Sequence, residues 1–231
     1  MLNIGFQIIC RYNSHRLPGK ILREINGKPI LQYIVERIEK VVPRKQIVVS
    51  TSEEKTDDPI IAYCEANDLN YFRGSLNNVS ERFLKCAQEY NFDYTTRING
   101  DNIFVDISLL EKMATIAETG QYELISNLKN RTFPKGMSIE IVRTDYYAER
   151  FKTFSTPDDF EHVTINLYQN EEAEKYFYAM NTFCPEAGGI QLAIDTPEDF
   201  SLASKIISNF AGSHLNYGLS EVYHLYRKFQ E

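Results

Sequence analysis

The chain has no tryptophan. That absence excludes nothing about function, because 15 tyrosines and 14 phenylalanines supply aromatic surface in its place. The missing positive charge says more. A net charge of −7 argues against general binding to nucleic acid or membrane surfaces, which favour basic chains or basic faces. No apolar run approaches the roughly 20 residues of a membrane span. The N-terminus lacks the basic, apolar and small-residue pattern of a signal peptide, so a cytoplasmic location is expected. The four cysteines (Cys10, Cys64, Cys86, Cys184) form no Cys-x-x-Cys pair, which fits reduced, mostly buried thiols better than disulfides or zinc ligands. Repeats, low-complexity tracts and Pro/Gly/Ser linkers are also missing. Residues 1–231 therefore read as one domain, long enough to bury a substantial core and ordinary in its 43% hydrophobic and 25% charged content.

What is present is an alternation of short apolar runs with helical patterns. Ile4 to Cys10 is too short and too β-branched for a helix and reads as a buried first strand. Asn26-Gly27 makes a turn, and Pro29 to Val41 repeats apolar residues at helical spacing. Further strands are expected at Gln46–Thr51, Asn70–Phe72, Tyr94–Ile98, Tyr122–Ser126, Met137–Val142, Tyr176–Ala179 and Gln191–Ile194. Helices are expected from Pro59 to Asn67, Val79 to Tyr90, Ile107 onward with Asp106 as cap, Asp145 to Phe151, Phe160 to Tyr168, Pro197 to Phe210 and Leu219 to Phe229. The pattern is that of a layered α/β sheet with right-handed crossovers.

The first strand runs into Arg11-Tyr12-Asn13-Ser14-His15-Arg16-Leu17-Pro18-Gly19-Lys20. Ligands of open α/β sheets bind at the carboxyl ends of strands, so Arg11, Arg16 and Lys20 there suggest an anion, phosphate first. Arginine forks match phosphate oxygens in pairs, and a lysine acts on them as a point charge. Pro18 stiffens the loop, and Gly19 permits close approach or an unusual φ. A solvated basic loop is the ordinary alternative. Chemistry on a polyphosphate also needs a divalent metal, and magnesium accepts one or two carboxylates. Asp101 follows a strand and would share the loop's sheet edge if that strand is parallel to the first, although Asn99-Gly100-Asp101-Asn102 is also good turn chemistry. Asp195 ends another apolar run. Thr196 is a natural cap, Pro197 suits a first turn and Asp199 completes a capping-box pattern, which leaves Asp195 without an evident structural task.

Arg-x-x-Ser-x-Arg-Leu-Pro-x-Lys after an N-terminal strand resembles the signature of sugar cytidylyltransferases of the CMP-KDO synthetase type, and within them the spore-coat polysaccharide (SpsF-like) group. Cys10 and Asn13 stand where relatives carry smaller residues, and Ile103 replaces a common proline. The resemblance extends through Arg73-Gly74-Ser75 and Arg82, Arg97-Ile98-Asn99-Gly100-Asp101, Phe133-Pro134-Lys135-Gly136 to Glu140, Glu161-His162-Val163-Thr164, and Asp195-Thr196-Pro197-Glu198-Asp199. It implies a single-domain, Rossmann-like three-layer α/β/α sandwich with a mixed, mostly parallel sheet, of the GT-A-like nucleotide-diphospho-sugar transferase kind. It further implies Arg11, Ser14, Arg16, Lys20, Arg73 and Asn99 on the nucleotide, with Arg11 and Lys20 catalytic. Asp101 and Asp195 would hold Mg²⁺, and Glu140 and His162 would contact the acceptor sugar. For the last two, a satisfied side chain in a strand or helix wall is the competing account.

The activity so implied is transfer of CMP from CTP to a 2-keto acid sugar or a sugar phosphate, with release of pyrophosphate, for surface polysaccharide or glycan synthesis. Base choice stays open, since no base-reading residue is identifiable. Another nucleotide such as GTP with a sugar 1-phosphate is an alternative. A glycosyltransferase is a further one, weakened by the absence of any Asp-x-Asp, as is a silent nucleotide-binding domain. A homodimer is common among such relatives. A core-packed last helix is the simpler account of the tyrosine-rich C-terminus.

Overall fold

A computed structural model describes residues 2–230. Seven strands form one sheet: β1 (Ile4–Ile9), β4 (Ile47–Ser52), β5 (Asn70–Gly74), β6 (Tyr94–Asn99), β7 (Leu124–Ser126), β8 (Glu140–Arg143) and β9 (Tyr176–Tyr178). A separate hairpin, β2 (Glu24–Ile25) and β3 (Lys28–Pro29), closes on Asn26 and Gly27, both with positive φ. Spatial order in the sheet is β5-β4-β1-β6-β8-β7-β9. β4, β5 and β6 run parallel to β1, and only β8 is antiparallel to its neighbours β6 and β7.

The central position of β1 follows from its composition: Phe6 and Ile8 have no exposed surface and even Gln7 is buried, its amide donating to Phe83 O and Thr95 Oγ1. On one sheet face α1 (Ile30–Ile38), α2 (Asp58–Ala66), α4 (Ile107–Glu118), α8 (Pro197–Ser208) and α9 (Leu219–Lys228) bury Ile34, Ile60, Leu110, Ile206 and Val222 in the main core. The opposite face is covered by α3 (Val79–Glu89), α5 (Thr144–Phe151), α6 (Pro157–Glu161) and α7 (Ile165–Gln169), with Phe83, Tyr147 and Leu167 in a second cluster. The result is the mixed, mostly parallel, three-layer arrangement expected. All four cysteines are free and buried, and no described helix is long and apolar enough to cross a membrane.

Three local expectations need correction. Phe160–Tyr168 is not one helix. α6 stops at Glu161 and α7 begins at Ile165, because Thr164 Oγ1 and Tyr168 OH both donate to the buried Glu140 carboxylate and draw the chain out of register. Met137–Val142 is strand only from Glu140 onward. Before it the Asn127 side chain takes over the backbone, accepting from Ile139 N (2.8 Å) and donating to Met137 O (2.8 Å). Gln191–Ile194 forms no strand. It is held instead by a single bridge from Gln191 to Lys135 and by Ile194 N donating to Asp101 O at 3.2 Å.

Candidate active site

The cationic loop leaves β1 and folds back on itself: the Tyr12 carbonyl accepts the amides of Ser14 (3.0 Å) and Gly19 (2.7 Å). Gly19 has φ 69°, a left-handed conformation that glycine adopts without penalty. The turn delivers Lys20 to a cavity of about 480 Å³ at the carboxyl ends of β1 and β6. Arg11, Ser14, Arg16, Lys20, Asn99, Asp101, His162 and Asp195 all line it.

Lys20 Nζ sits among three oxygens, 2.7 Å from Ile194 O, 3.3 Å from Asp195 Oδ1 and 3.4 Å from Asp101 Oδ2. Arg16 reaches Asp195 Oδ1 from the solvent side at 2.9 Å. Two acids distant in sequence thus converge on one ammonium group. Asp101 is placed by the end of β6 and Asp195 by the start of α8. There Thr196 Oγ1 accepts from Asp199 N and the Asp199 carboxylate accepts from Thr196 N, which leaves the Asp195 carboxylate free to face the cavity. Burial pushes the Asp101 carboxyl above its ordinary 3.8, the Asp195 charge adds to this, and Lys20 opposes it. A pair of carboxylates already sharing a cation suits Mg²⁺, which fills its other places with water and phosphate oxygens. No group of three or more His, Cys, Asp or Glu among the described residues could hold a metal by itself.

The remaining expected residues divide. Arg73 lines neither this cavity nor the next: its guanidinium donates to Ser52 O (3.0 Å) and Glu54 O (2.9 Å) and pairs with Asp58 at 2.9 Å, tying β5 to the β4–α2 connection. Glu140 and His162 belong to an adjoining cavity of about 360 Å³, with Thr164, Tyr168, Lys129, Arg131 and Tyr178. Glu140 is 1% exposed, and its oxygens are taken by Arg97, Thr164 and Tyr168, so it holds the wall together. His162 lines both cavities, at the break between α6 and α7.

Two further arginines line the site: Arg82, which the resemblance set beside Arg73, and Arg97, whose motif was quoted there without a role for the arginine itself. Arg97, on β6, lines both cavities, pairs with Glu140 through one nitrogen and has no partner at Nε. Arg82, on α3, is 3% exposed, donates to Ser75 O at 2.8 Å and likewise has no partner at Nε. Buried donors without acceptors are costly, and both arginines line the cavity. For Arg97 the available signal was a charged side chain in the middle of a strand, which marks a cation that the fold must bury.

The family model for cytidylyltransferase matches residues 7–226. The spore coat polysaccharide biosynthesis protein SpsF of Bacillus subtilis is 30% identical over 229 residues, covering 96% of this chain and 93% of that protein. A solved cytidylyltransferase from Leptospira borgpetersenii superposes with a TM-score of 0.91 at 29% identity, covering 100% of this chain and 96% of that one. The structure of CMP:2-keto-3-deoxy-manno-octonic acid synthetase complexed with CTP shares the fold, with a TM-score of 0.65 at 16% identity over 89% of this chain and 98% of that one. With its cationic loop, its paired acids and a match over nearly its whole length, this chain belongs to the cytidylyltransferase family.

Proposed function

We propose that the protein transfers CMP from CTP to an oxygen of a small sugar acceptor, a 2-keto acid sugar or a sugar phosphate, making an activated sugar for polysaccharide or glycan synthesis. The acceptor oxygen forms a bond to the α-phosphorus, the bond from that phosphorus to the β-phosphate bridge breaks, and pyrophosphate leaves. The observation that supports this is the convergence of Asp101 and Asp195 on Lys20 at the mouth of the cationic loop. Relatives named for polysaccharide synthesis and a fold shared with a CTP complex point the same way.

In this reading Arg11, Ser14, Arg16 and Lys20 hold the triphosphate, and Asn99 and Arg82 face the nucleoside. Asp101 and Asp195 would hold Mg²⁺, which would neutralise charge on the phosphates. Lys20, between the two acids, lies within reach of an incoming phosphate once a divalent ion takes up their charge. Arg97 and His162 stand where the two cavities meet, and the second cavity receives the acceptor. Fixed charges aimed at the reacting phosphate supply most of the acceleration, with no covalent enzyme intermediate.

The test is pyrophosphate release from CTP, GTP, ATP and UTP with Mg²⁺ and a mixture of sugar acceptors, followed by mass spectrometry of products formed in a bacterial metabolite extract. Acceptor-dependent release with CTP and a CMP-sugar product is expected. Release with another nucleotide only, or none with any, would refute the CTP assignment.

A further inference from the structure

The cationic loop is held from behind by a residue far from it in sequence. Asp57 closes the connection between β4 and α2, is 1% exposed and accepts four hydrogen bonds. Three come from its own neighbourhood: Thr51 Oγ1 (2.8 Å), Ser52 N (3.0 Å) and Ser52 Oγ, all to Oδ2. The fourth crosses to the loop, where Tyr12 N donates to Oδ1 at 2.7 Å. Tyr12 is also the residue whose carbonyl accepts the Ser14 and Gly19 amides, and its ring lies where a β-carbon on Gly19 would fall, 3.1 Å from Cζ.

The chain of contacts therefore runs from Asp57 through the Tyr12 backbone to Gly19 and on to Lys20. Both backbone polar groups of Tyr12 are used, the amide toward Asp57 and the carbonyl toward the loop's far limb. The far end of the loop is pinned by the Lys20 and Arg16 contacts to the acids, whereas Arg11 and Asn13 at its start are exposed, so the Asp57 bond to Tyr12 N anchors the end that carries Arg11.

We propose that Asp57 is a positioning residue for phosphate binding: by anchoring the Tyr12 amide it fixes the loop in the form that presents Arg11, Arg16 and Lys20 to a triphosphate. Asp57 touches no substrate. Its negative charge offsets the loop's cations from the buried side, and a bond to a charged acceptor fixes a backbone amide more firmly than a neutral one does. The nucleotide-binding part of this inference rests on the proposed activity; the anchoring part does not.

Two variants separate positioning from simple stabilisation. Asp57→Asn keeps the shape and removes the charge, and Thr51→Val removes one bond to the same carboxylate without touching the loop. Amide hydrogen exchange over residues 12–20 is expected to quicken in Asp57→Asn and to match the wild type in Thr51→Val. Calorimetric binding of CTP with Mg²⁺, and of inorganic tripolyphosphate as a probe without a base, is expected to weaken about tenfold or more in Asp57→Asn alone. Thermal melting records what each variant costs the fold. Equal loop protection in both variants and the wild type overturns the anchor. Altered protection with unchanged tripolyphosphate affinity overturns its role in binding. If the wild type binds neither probe, the nucleotide reading falls and the binding role with it, while the exchange data still judge the anchor.

Discussion

Lys20 is where the residue scale is most revealing, because one ammonium group satisfies two carboxylates and a backbone carbonyl at once. Replacing it with methionine removes the ammonium that Asp101 and Asp195 share, leaves Asp195 with only Arg16, and removes a donor from the phosphate site. A Lys20→Met variant is expected to lose about a hundredfold to a thousandfold in kcat. The exposed Lys205, on the outer side of α8, should be replaceable by alanine without such loss, and a steady-state comparison of the two decides the matter. Asp101 adds a pH signature. Its carboxyl is raised above 3.8, first by burial and then by Asp195, so the folded protein binds its proton more tightly than the unfolded chain. That contribution favours folding at low pH and is lost as pH rises through the raised value. Cation binding needs the ionised form, so its affinity should already decline on acidification above pH 3.8, as Mn²⁺ titrations in stepped buffers would record. A midpoint at or below that value would contradict the assignment of Asp101.

At the scale of elements, the segment carrying Asp195 owes its place to a neighbour rather than to strand pairing. Lys135 N donates to Ile190 O and Leu192 N donates to Lys135 O, both at 2.9 Å, and Gly136 lets the two backbones close up. A β-carbon there would lie 2.4 Å from Ala193 N, and the φ of 93° is strained for any other residue. Gly136→Ala should cost about 1–3 kcal/mol or more from backbone strain and displace Asp195 from Lys20. A lower melting temperature together with a loss of activity beyond the change in stability is the expected outcome. The Phe133–Gly136 stretch therefore buttresses the acid-bearing segment. Local pattern could not show this, and it could not show the break at 162–164 either. Both depend on partners far away in sequence, Ala193 in one case and Glu140 in the other.

For the molecule as a whole, the sheet was readable because its inner strands are short, apolar and β-branched, and because caps such as Asp106 and Thr196 mark where helices begin. The convergence of Arg16, Lys20 and Asp101 was readable through strand-end logic, which puts ligands at one edge of a parallel sheet; Asp195 was singled out by its lack of a capping task and by the resemblance. Arg82 was named only through the resemblance, and the part played by Arg97 was not readable, since its side chain becomes meaningful only once the β6–β8 pair is assembled around it. Arg73 was misplaced for the converse reason: its partners are two backbone carbonyls and Asp58, groups that a pattern of residue types does not reveal.

The ammonium held between the two acids has one more consequence. It acts as a resident counterion, so the resting enzyme should not depend on dissolved metal for its integrity, and loading of the site becomes an exchange of one cation for another. Treatment with EDTA should leave the melting temperature of the ligand-free protein unchanged while stopping turnover, and restored Mg²⁺ should bring turnover back. A chelator that lowered the melting temperature would show that the lysine is no substitute.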